Sequence, residues 1–174
     1  RYGEHNASDV HAILTPLQQQ VTNFKSITNG AMFVQVDGVP YALTGLNFAA
    51  ATNLNGVATL ITTALSGATI GATCTWDGTK FTFTSNTTGA TSEVEPLQAP
   101  TSGVSIVPLI NGTLALGARQ VDGIAAESAL AAVQIMENSA VDFYGLTFAS
   151  TQIVDADHLA IAALCPSGFA LIQA

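Results

Sequence analysis

Two β-hairpins with a helix between them are predicted by the hydrophobic pattern of residues 31–92. Both apolar stretches turn back on themselves at an Asp-Gly pair, Asp37-Gly38 in the first and Asp77-Gly78 in the second. Asp-Gly between alternating strands is a strong hairpin signal, because a type I′ turn needs positive φ at both central residues. We therefore expect a type I′ turn in each hairpin.

The second hairpin also predicts which face of its sheet is buried. Phe81 and Phe83 share one face, whereas Thr82 and Thr84 occupy the other. This alternation is typical of an antiparallel sheet with one face on the core and one face in solvent.

The segment between the hairpins predicts a helix with one apolar face. The face consists of residues three or four positions apart: Leu54, Val57, Ala58, Ile61 and Leu65. Such spacing indicates a helix that lies on a sheet. Asn53 is expected to be its N-cap.

The flanking segments carry other patterns. Residues 9–27 predict a helix, since apolar residues recur at helical spacing, although Pro16 argues against an uninterrupted one. The apolar residues concerned are Val10, Ile13, Leu14, Leu17 and Val21. Residues 86–119 are rich in Gly and Pro, and they predict loops with short strands at 104–109 and 113–116.

The last part of the chain predicts a helix from Asp122 or Gly123 to about Glu137, a strand at 143–148 and a helix at 156–164. Helix, strand and helix suggest a piece of an α/β layer rather than more hairpins. We therefore predict an α+β fold with three segments. Residues 30–119 form a β-rich insert of hairpins with a packed helix, and residues 1–28 and 121–174 form an α/β core segment.

Charge argues against two classes of partner. The net charge is −8, from 12 acidic residues against four scattered cations: Arg1, Lys25, Lys80 and Arg119. Such cations cannot neutralise a run of phosphates, so no nucleic-acid partner is expected.

The apolar runs are far shorter than the roughly 20 residues that span a bilayer, so no membrane insertion is expected. With only 9% charged residues, the chain suits an assembly subunit, a secreted β-rich protein or an adhesive module.

Candidate chemistry is sparse. Asp155, Asp157 and His158 could be metal ligands or a carboxylate-oriented histidine, but acidic capping of a helix start is the favoured interpretation. Glu4 and His5 could join an active centre, yet residues near a terminus are usually solvated.

The remaining reactive or aromatic residues are also better explained by packing. Cys74 and Cys165 are expected in the core, since no local signature supplies a base for a nucleophile. Trp76, Tyr41 and Tyr144 could stack on sugars, but aromatics in phase with apolar neighbours usually belong to the core. We therefore predict no catalytic, cofactor-binding or metal-binding residue, no cofactor and no enzymatic activity.

Several turn and packing motifs occur in a fixed order along the chain. They are Thr28-Asn29-Gly30, the segment 43–58 after the first Asp-Gly turn, the segment 76–85, Thr88–Ser92, Glu127-Ser128, Phe143-Tyr144-Gly145 and the segment 158–163. In this order they resemble the contractile-tail sheath-like proteins of myovirus-type bacteriophages, over about residues 1–164. Members of that family are longer at both ends, so we expect this chain to be a fragment without the terminal regions.

The resemblance implies a structural protein of the virion tail. Subunits of that family assemble in the host cytoplasm into a helical tube around an inner tail tube, and the tube contracts during infection. The implied partners are further copies of the chain, the tail tube and baseplate proteins. The insert would face outward, and the other segments would form the tube layer.

Two other functions remain open. A surface-displayed adhesin-like or carbohydrate-binding β module would expose aromatic side chains near Tyr41 or Trp76. A hydrolase or metal enzyme would be built around His158.

Overall fold

A computed structural model describes residues 7–125, 128, 130, 131, 133–135, 146–148, 161 and 171–173 of the 174-residue chain. The chain divides into two compact units. One unit is His5–Ala125, and the other combines Arg1–Glu4 with Ala126–Ala174. The predicted boundaries near residues 29 and 120 both fall within the first unit. The assignment of segments to an insert and a tube layer stays a prediction.

The first unit contains an antiparallel four-stranded sheet. In spatial order its strands are β4 (Ala72–Trp76), β5 (Lys80–Ser85), β1 (Asp9–Ile13) and β7 (Arg119–Val121). Phe81 and Phe83 are buried on one face, while Thr82 and Thr84 are only partly buried on the other. The predicted one-sided burial of this hairpin is therefore confirmed.

A second sheet has β2 (Gly30–Val36) at its centre, between β3 (Val39–Leu46) and the short parallel strand β6 (Val104–Ser105). The β2–β3 hairpin turns at Asp37 and Gly38, whose φ angles are 51° and 76°. The predicted turn with positive φ at both positions is thus confirmed here. On the other side of β2, single bridges join Phe33 to Gln98 and Val36 to Val94.

The turn of the second hairpin differs from the prediction. Only Gly78 has a positive φ, 101°, whereas Asp77 does not. The carboxylate Oδ1 of Asp77 instead accepts hydrogen bonds from the backbone N–H groups of Thr79 (2.8 Å) and Lys80 (3.0 Å). This side-chain closure of the turn removes the need for a left-handed aspartate.

The predicted helix between the hairpins is confirmed as α2 (Leu54–Gly67). All five predicted apolar residues are buried, and Asn53 Oδ1 accepts a hydrogen bond from the Gly56 N–H at 2.8 Å. The apolar face packs into a continuous core with residues of both sheets. Phe24 contacts Phe48 and Phe81 edge-on at centroid distances of 5.7 and 5.9 Å, so aromatic rings fill the centre.

The helix predicted over residues 9–27 is wrong. The structure has strand β1 there, followed by turns and a short helix α1 (Thr22–Lys25). Val10, Ala12 and Leu14 are buried at alternate positions, whereas Ile13 is 73% exposed and Leu17 is 78% exposed. Burial therefore follows the two-residue period of a strand.

The short strands predicted at 104–109 and 113–116 are also largely wrong. After the two residues of β6, the chain forms 3-10 helices at Val107–Ile110 and Leu114–Leu116. Pro108 lies in the first turn of the first 3-10 helix, and left-handed residues Asn111 and Gly117 end the two helices. A proline without an N–H group and left-handed caps favour tight turns over strands.

The second unit is described only in parts. Strand β8 (Leu146–Phe148) pairs in parallel with β9 (Leu171–Gln173). Residues 130, 131, 133–135 and 161 are helical, within the two predicted helices, whereas residues 122–125 are not. The predicted strand is confirmed over 146–148, and its first residues, 143–145, lie outside the described part. The predicted α+β class is confirmed.

Candidate functional site

The two points at which the chain enters and leaves the first unit lie side by side. Strand β1 is the first strand of this unit in sequence and β7 is the last, and the two strands pair antiparallel. Asp9 is opposite Val121, Val10 is opposite Gln120, and His11 is opposite Arg119. Strands separated by almost the whole unit are thus joined, and we call this end of the unit the base.

Three buried serines hold the base together. The Ser8 N–H donates to Ser92 Oγ at 2.8 Å, and Ser8 Oγ accepts from the Val94 N–H at 2.9 Å. The carbonyl oxygen of Ser8 accepts from the Ser85 N–H at 3.0 Å. Each serine is at most 3% exposed. Buried polar groups of this kind are tolerated only when they are paired, as these are.

The outgoing chain is tied to the same serine. The Gly123 N–H donates to the Ser92 carbonyl oxygen at 3.1 Å. A Cβ atom at Gly123 would collide with the Gly89 carbonyl oxygen and with Ser92 Cβ, 2.6 Å away. Only a residue without a side chain fits at this close backbone approach.

Asp37 connects the second sheet to the base. Its carboxylate accepts from the Ser85 hydroxyl (3.0 Å), the Thr87 hydroxyl (2.9 Å) and the Glu93 N–H (2.9 Å). The Asp37 N–H donates in turn to the Glu93 carbonyl oxygen at 2.7 Å. Hydrogen bonds to an ionised acceptor are about twice as strong as neutral ones. The half-buried Asp37 therefore holds the turn of the second sheet firmly against Ser85, Thr87 and Glu93.

The opposite end of the four-stranded sheet carries an open groove, which we call the tip groove. Its volume is about 520 Å³, and its lining includes His11, Ile13, Asp77, Lys80, Leu116 and Arg119. Ile13 pairs with Lys80 at this end of β1, whereas Asp9 lies at the base end. Hydrogen bonds from the backbone and hydroxyl of Thr79 lower the pKa of the exposed Asp77 carboxyl.

The free edge of β4 is covered by α2. Thr62 Oγ1 accepts from the Cys74 N–H at 2.9 Å and donates to the Cys74 carbonyl oxygen at 2.8 Å. A single hydroxyl thereby satisfies both outward backbone groups of that residue. Covered edges cannot pair with another chain.

The structure gives packing roles to the described residues that were considered for chemistry. Cys74 is buried as predicted, and burial strongly raises the pKa of its thiol, so it is no nucleophile. Tyr41 and Trp76 are half-buried against the core, and the rings of Trp76 and Phe81 lie 4.8 Å apart. Both rings thus pack against the core on one side, and the remaining surface of Trp76 lines an open groove.

The other candidates lie outside the described residues: Glu4, His5, Tyr144, Asp155, Asp157, His158 and Cys165. Within the part of the chain that the structure describes, no three His, Cys, Asp or Glu side chains come together as metal ligands would. In the same part, no helix has the length and apolar content needed to cross a membrane.

The base was missed by the sequence reasoning. Its serines and Gly123 lie in segments with no regular pattern, and their partners are distant in sequence. Only Asp37 carried a local signal, as half of an Asp-Gly turn.

Comparison with known proteins gives one family. Residues 10–128, more than half of the chain, match the sequence model described as E217 tail sheath protein gp31, insert domain. The matched range covers nearly all of the first compact unit. A search of curated proteins found no match.

Proposed function

Since the chain belongs to the family of the E217 tail sheath protein gp31 insert domain, we propose that it is part of a structural subunit of a contractile phage tail. In this proposal the subunits form a helical tube around the inner tail tube, and the tube contracts during infection. The chain acts in the virion tail after assembly in the host cytoplasm, and it catalyses no reaction.

One structural observation carries the proposal beyond the family match: the pairing of β1 with β7 at the base. A domain inserted into a loop of another domain must leave and return at neighbouring points, and surface termini that lie close together permit this. The base supplies that arrangement. We therefore propose that the insert is the unit His5–Ala125 rather than residues 30–119 alone.

The remaining segment, residues 126–174, is assigned in this proposal to the tube-forming layer. Support comes from the parallel pairing of β8 with β9, because parallel strands require a long crossover connection and are typical of α/β layers. Contraction would then change contacts in that layer, while the insert moves as one body. Copies of the chain, the tail tube and baseplate proteins are the proposed partners.

The proposal is tested by a cryo-electron microscopy map of the tail that contains this protein, in its extended and contracted forms. We expect the unit His5–Ala125 on the outer surface, with its internal structure unchanged between the two forms. Density for the two hairpins against the inner tail tube would overturn the layout. Absence of the chain from the sheath would overturn the function.

One observation favours a second candidate function, the binding of a neutral carbohydrate. An open groove of about 340 Å³ is lined by Trp76 together with the amide side chains of Gln19, Asn53 and Asn55. Aromatic faces and amides are groups that sugars contact. A glycan array tests this directly, with Asn55→Ala as the groove variant and Asn47→Ala as a control; binding that is equal in the two variants contradicts a site in this groove.

A further inference from the structure

The charged residues of the first unit are unevenly distributed. Lys25, Lys80 and Arg119 are the cations of residues 7–125. Two of them, Lys80 and Arg119, line the tip groove together. The one ion pair among the described residues joins His11 to Asp9. The Asp77 carboxylate also lines the groove, so the groove holds two cations against one carboxylate and keeps an excess of positive charge.

The tip groove also exposes apolar surface. Ile13 is 73% exposed and Leu116 is 43% exposed, and both line the groove. Scattered exposed apolar residues are ordinary, but apolar residues beside an excess of positive charge in a concave site indicate a surface for a partner.

The acidic residues of the unit gather at the other end. Asp37 and Glu93 are joined at the base by the Glu93 N–H, and Glu95 lies two residues further along, bonded to Gln35. Asp9 and Asp122 flank the paired strands at the same end. Asp77 is the exception, since it lies at the tip groove.

We propose that the tip groove docks the acidic base region of a second copy of this chain, around Glu93 and Glu95. The charge of the two surfaces is complementary, and complementary charge orients partners and excludes wrong ones. A contact between different surfaces of identical units does not close on itself when the operation is helical, so it can repeat along an array. The proposed sheath function supplies the reason why copies meet, and the inference rests on it to that extent.

Sedimentation velocity of the 174-residue chain tests the contact in solution. We expect concentration-dependent self-association that weakens as salt is raised from about 50 to about 500 mM, because salt screens the exposed charges. A chain that remains monomeric up to about 1 mM overturns the proposal, since a weaker contact is worth less than about 4 kcal/mol.

Charge reversal identifies the two surfaces. The double variant Lys80→Glu/Arg119→Glu and the double variant Glu93→Lys/Glu95→Lys should each lose self-association by roughly tenfold or more. An equimolar mixture of the two variants should restore association, because each acidic surface then meets a basic one. Lys25→Glu, a reversal outside the groove, is the matched control and should associate like the unaltered chain.

Three results overturn the inference: no loss in either double variant, no rescue in the mixture, or an equal loss in Lys25→Glu. If a double variant fails to fold, as judged by thermal melting, Ile13→Ser replaces it, because that side chain is exposed and should weaken association without unfolding. The experiment needs no tail. Failure of the contact therefore leaves the sheath function to be decided by the tail map.

Discussion

Ser8 and Ser92 are separated by 84 positions in sequence, yet the Ser8 N–H donates to Ser92 Oγ at 2.8 Å in the buried base of the first unit. Ser92 also accepts from the Gly123 N–H through its carbonyl oxygen. One residue therefore fixes both the incoming and the outgoing chain. The entry and exit of the first unit are therefore held together by hydrogen bonds within the unit itself.

Ser92→Ala should destabilise the first unit by about 1–3 kcal/mol, the usual cost of leaving a buried donor without its partner. The Ser8 N–H loses its acceptor in this variant, because Ser8 is fully buried and cannot turn to water. Urea unfolding followed by tryptophan fluorescence measures the change at Trp76. Ser102→Ala, at an exposed serine, is the control and should unfold like the unaltered chain.

Asp37→Ala should cost about 1–3 kcal/mol, because two hydroxyls and one N–H lose a charged acceptor. Asp37→Asn should cost less, since Asn tolerates the positive φ of this turn and keeps one carbonyl acceptor. The matched control is Asp77→Ala in the second hairpin, where the carboxylate bonds only within its own turn. If Asp77→Ala lowered the free energy of unfolding as much as Asp37→Ala, the role of Asp37 in holding the second sheet to the base would be contradicted.

Sequence reasoning succeeded where one local period decided burial. The residues of α2 at helical spacing are the residues that the core buries, and Asn53 is the N-cap that the sequence predicts. Phe81 and Phe83 likewise alternated with threonines that face outward. In each case neighbouring residues alone determined the structure.

Prediction from the sequence failed where the same apolar residues fit both the helical period of 3.6 residues and the strand period of two residues. Val10 and Leu14 fit both a helix and a strand, and Ala12 is too weakly apolar to reveal the strand from sequence. The pairing of β1 with β5 and β7 decided the outcome. The base and the tip groove were beyond reach for the same reason, since their residues meet only through these distant pairings.

Replacing glycine by alanine should have opposite effects on stability at Gly123, where the backbone lies against Gly89 and Ser92, and at Gly67, where the space is open. Gly123→Ala should destabilise the first unit, because its Cβ would collide with backbone and side-chain atoms of the base. Gly67→Ala, in the last turn of α2 with no atom within 4 Å of the new Cβ, should stabilise by about 0.5–1 kcal/mol. Thermal unfolding of both variants checks the opposite signs, and a melting temperature of Gly123→Ala at or above that of the unaltered chain would contradict the close approach at the base.

Thr62→Val should leave the N–H and the carbonyl oxygen of Cys74, at the edge of β4, without their hydrogen-bond partner. The substitution keeps the shape of the side chain but removes the hydroxyl that pairs with both the N–H and the carbonyl oxygen of Cys74. An edge strand with unpaired backbone groups is a template for another strand, so the variant should aggregate faster than the unaltered chain.

Hydrogen exchange of the Cys74 amide measures the loss of its hydrogen bond to Thr62 Oγ1. Exchange should be about 5-fold to 30-fold faster in Thr62→Val if that hydrogen bond contributes about 1–2 kcal/mol to protection. Thr63→Val is the matched control, since its hydroxyl bonds within the helix to the Thr59 carbonyl oxygen. Exchange at Cys74 should not change in that variant. Equal exchange rates in Thr62→Val and Thr63→Val would show that the helix backbone, rather than the Thr62 hydroxyl, protects this edge.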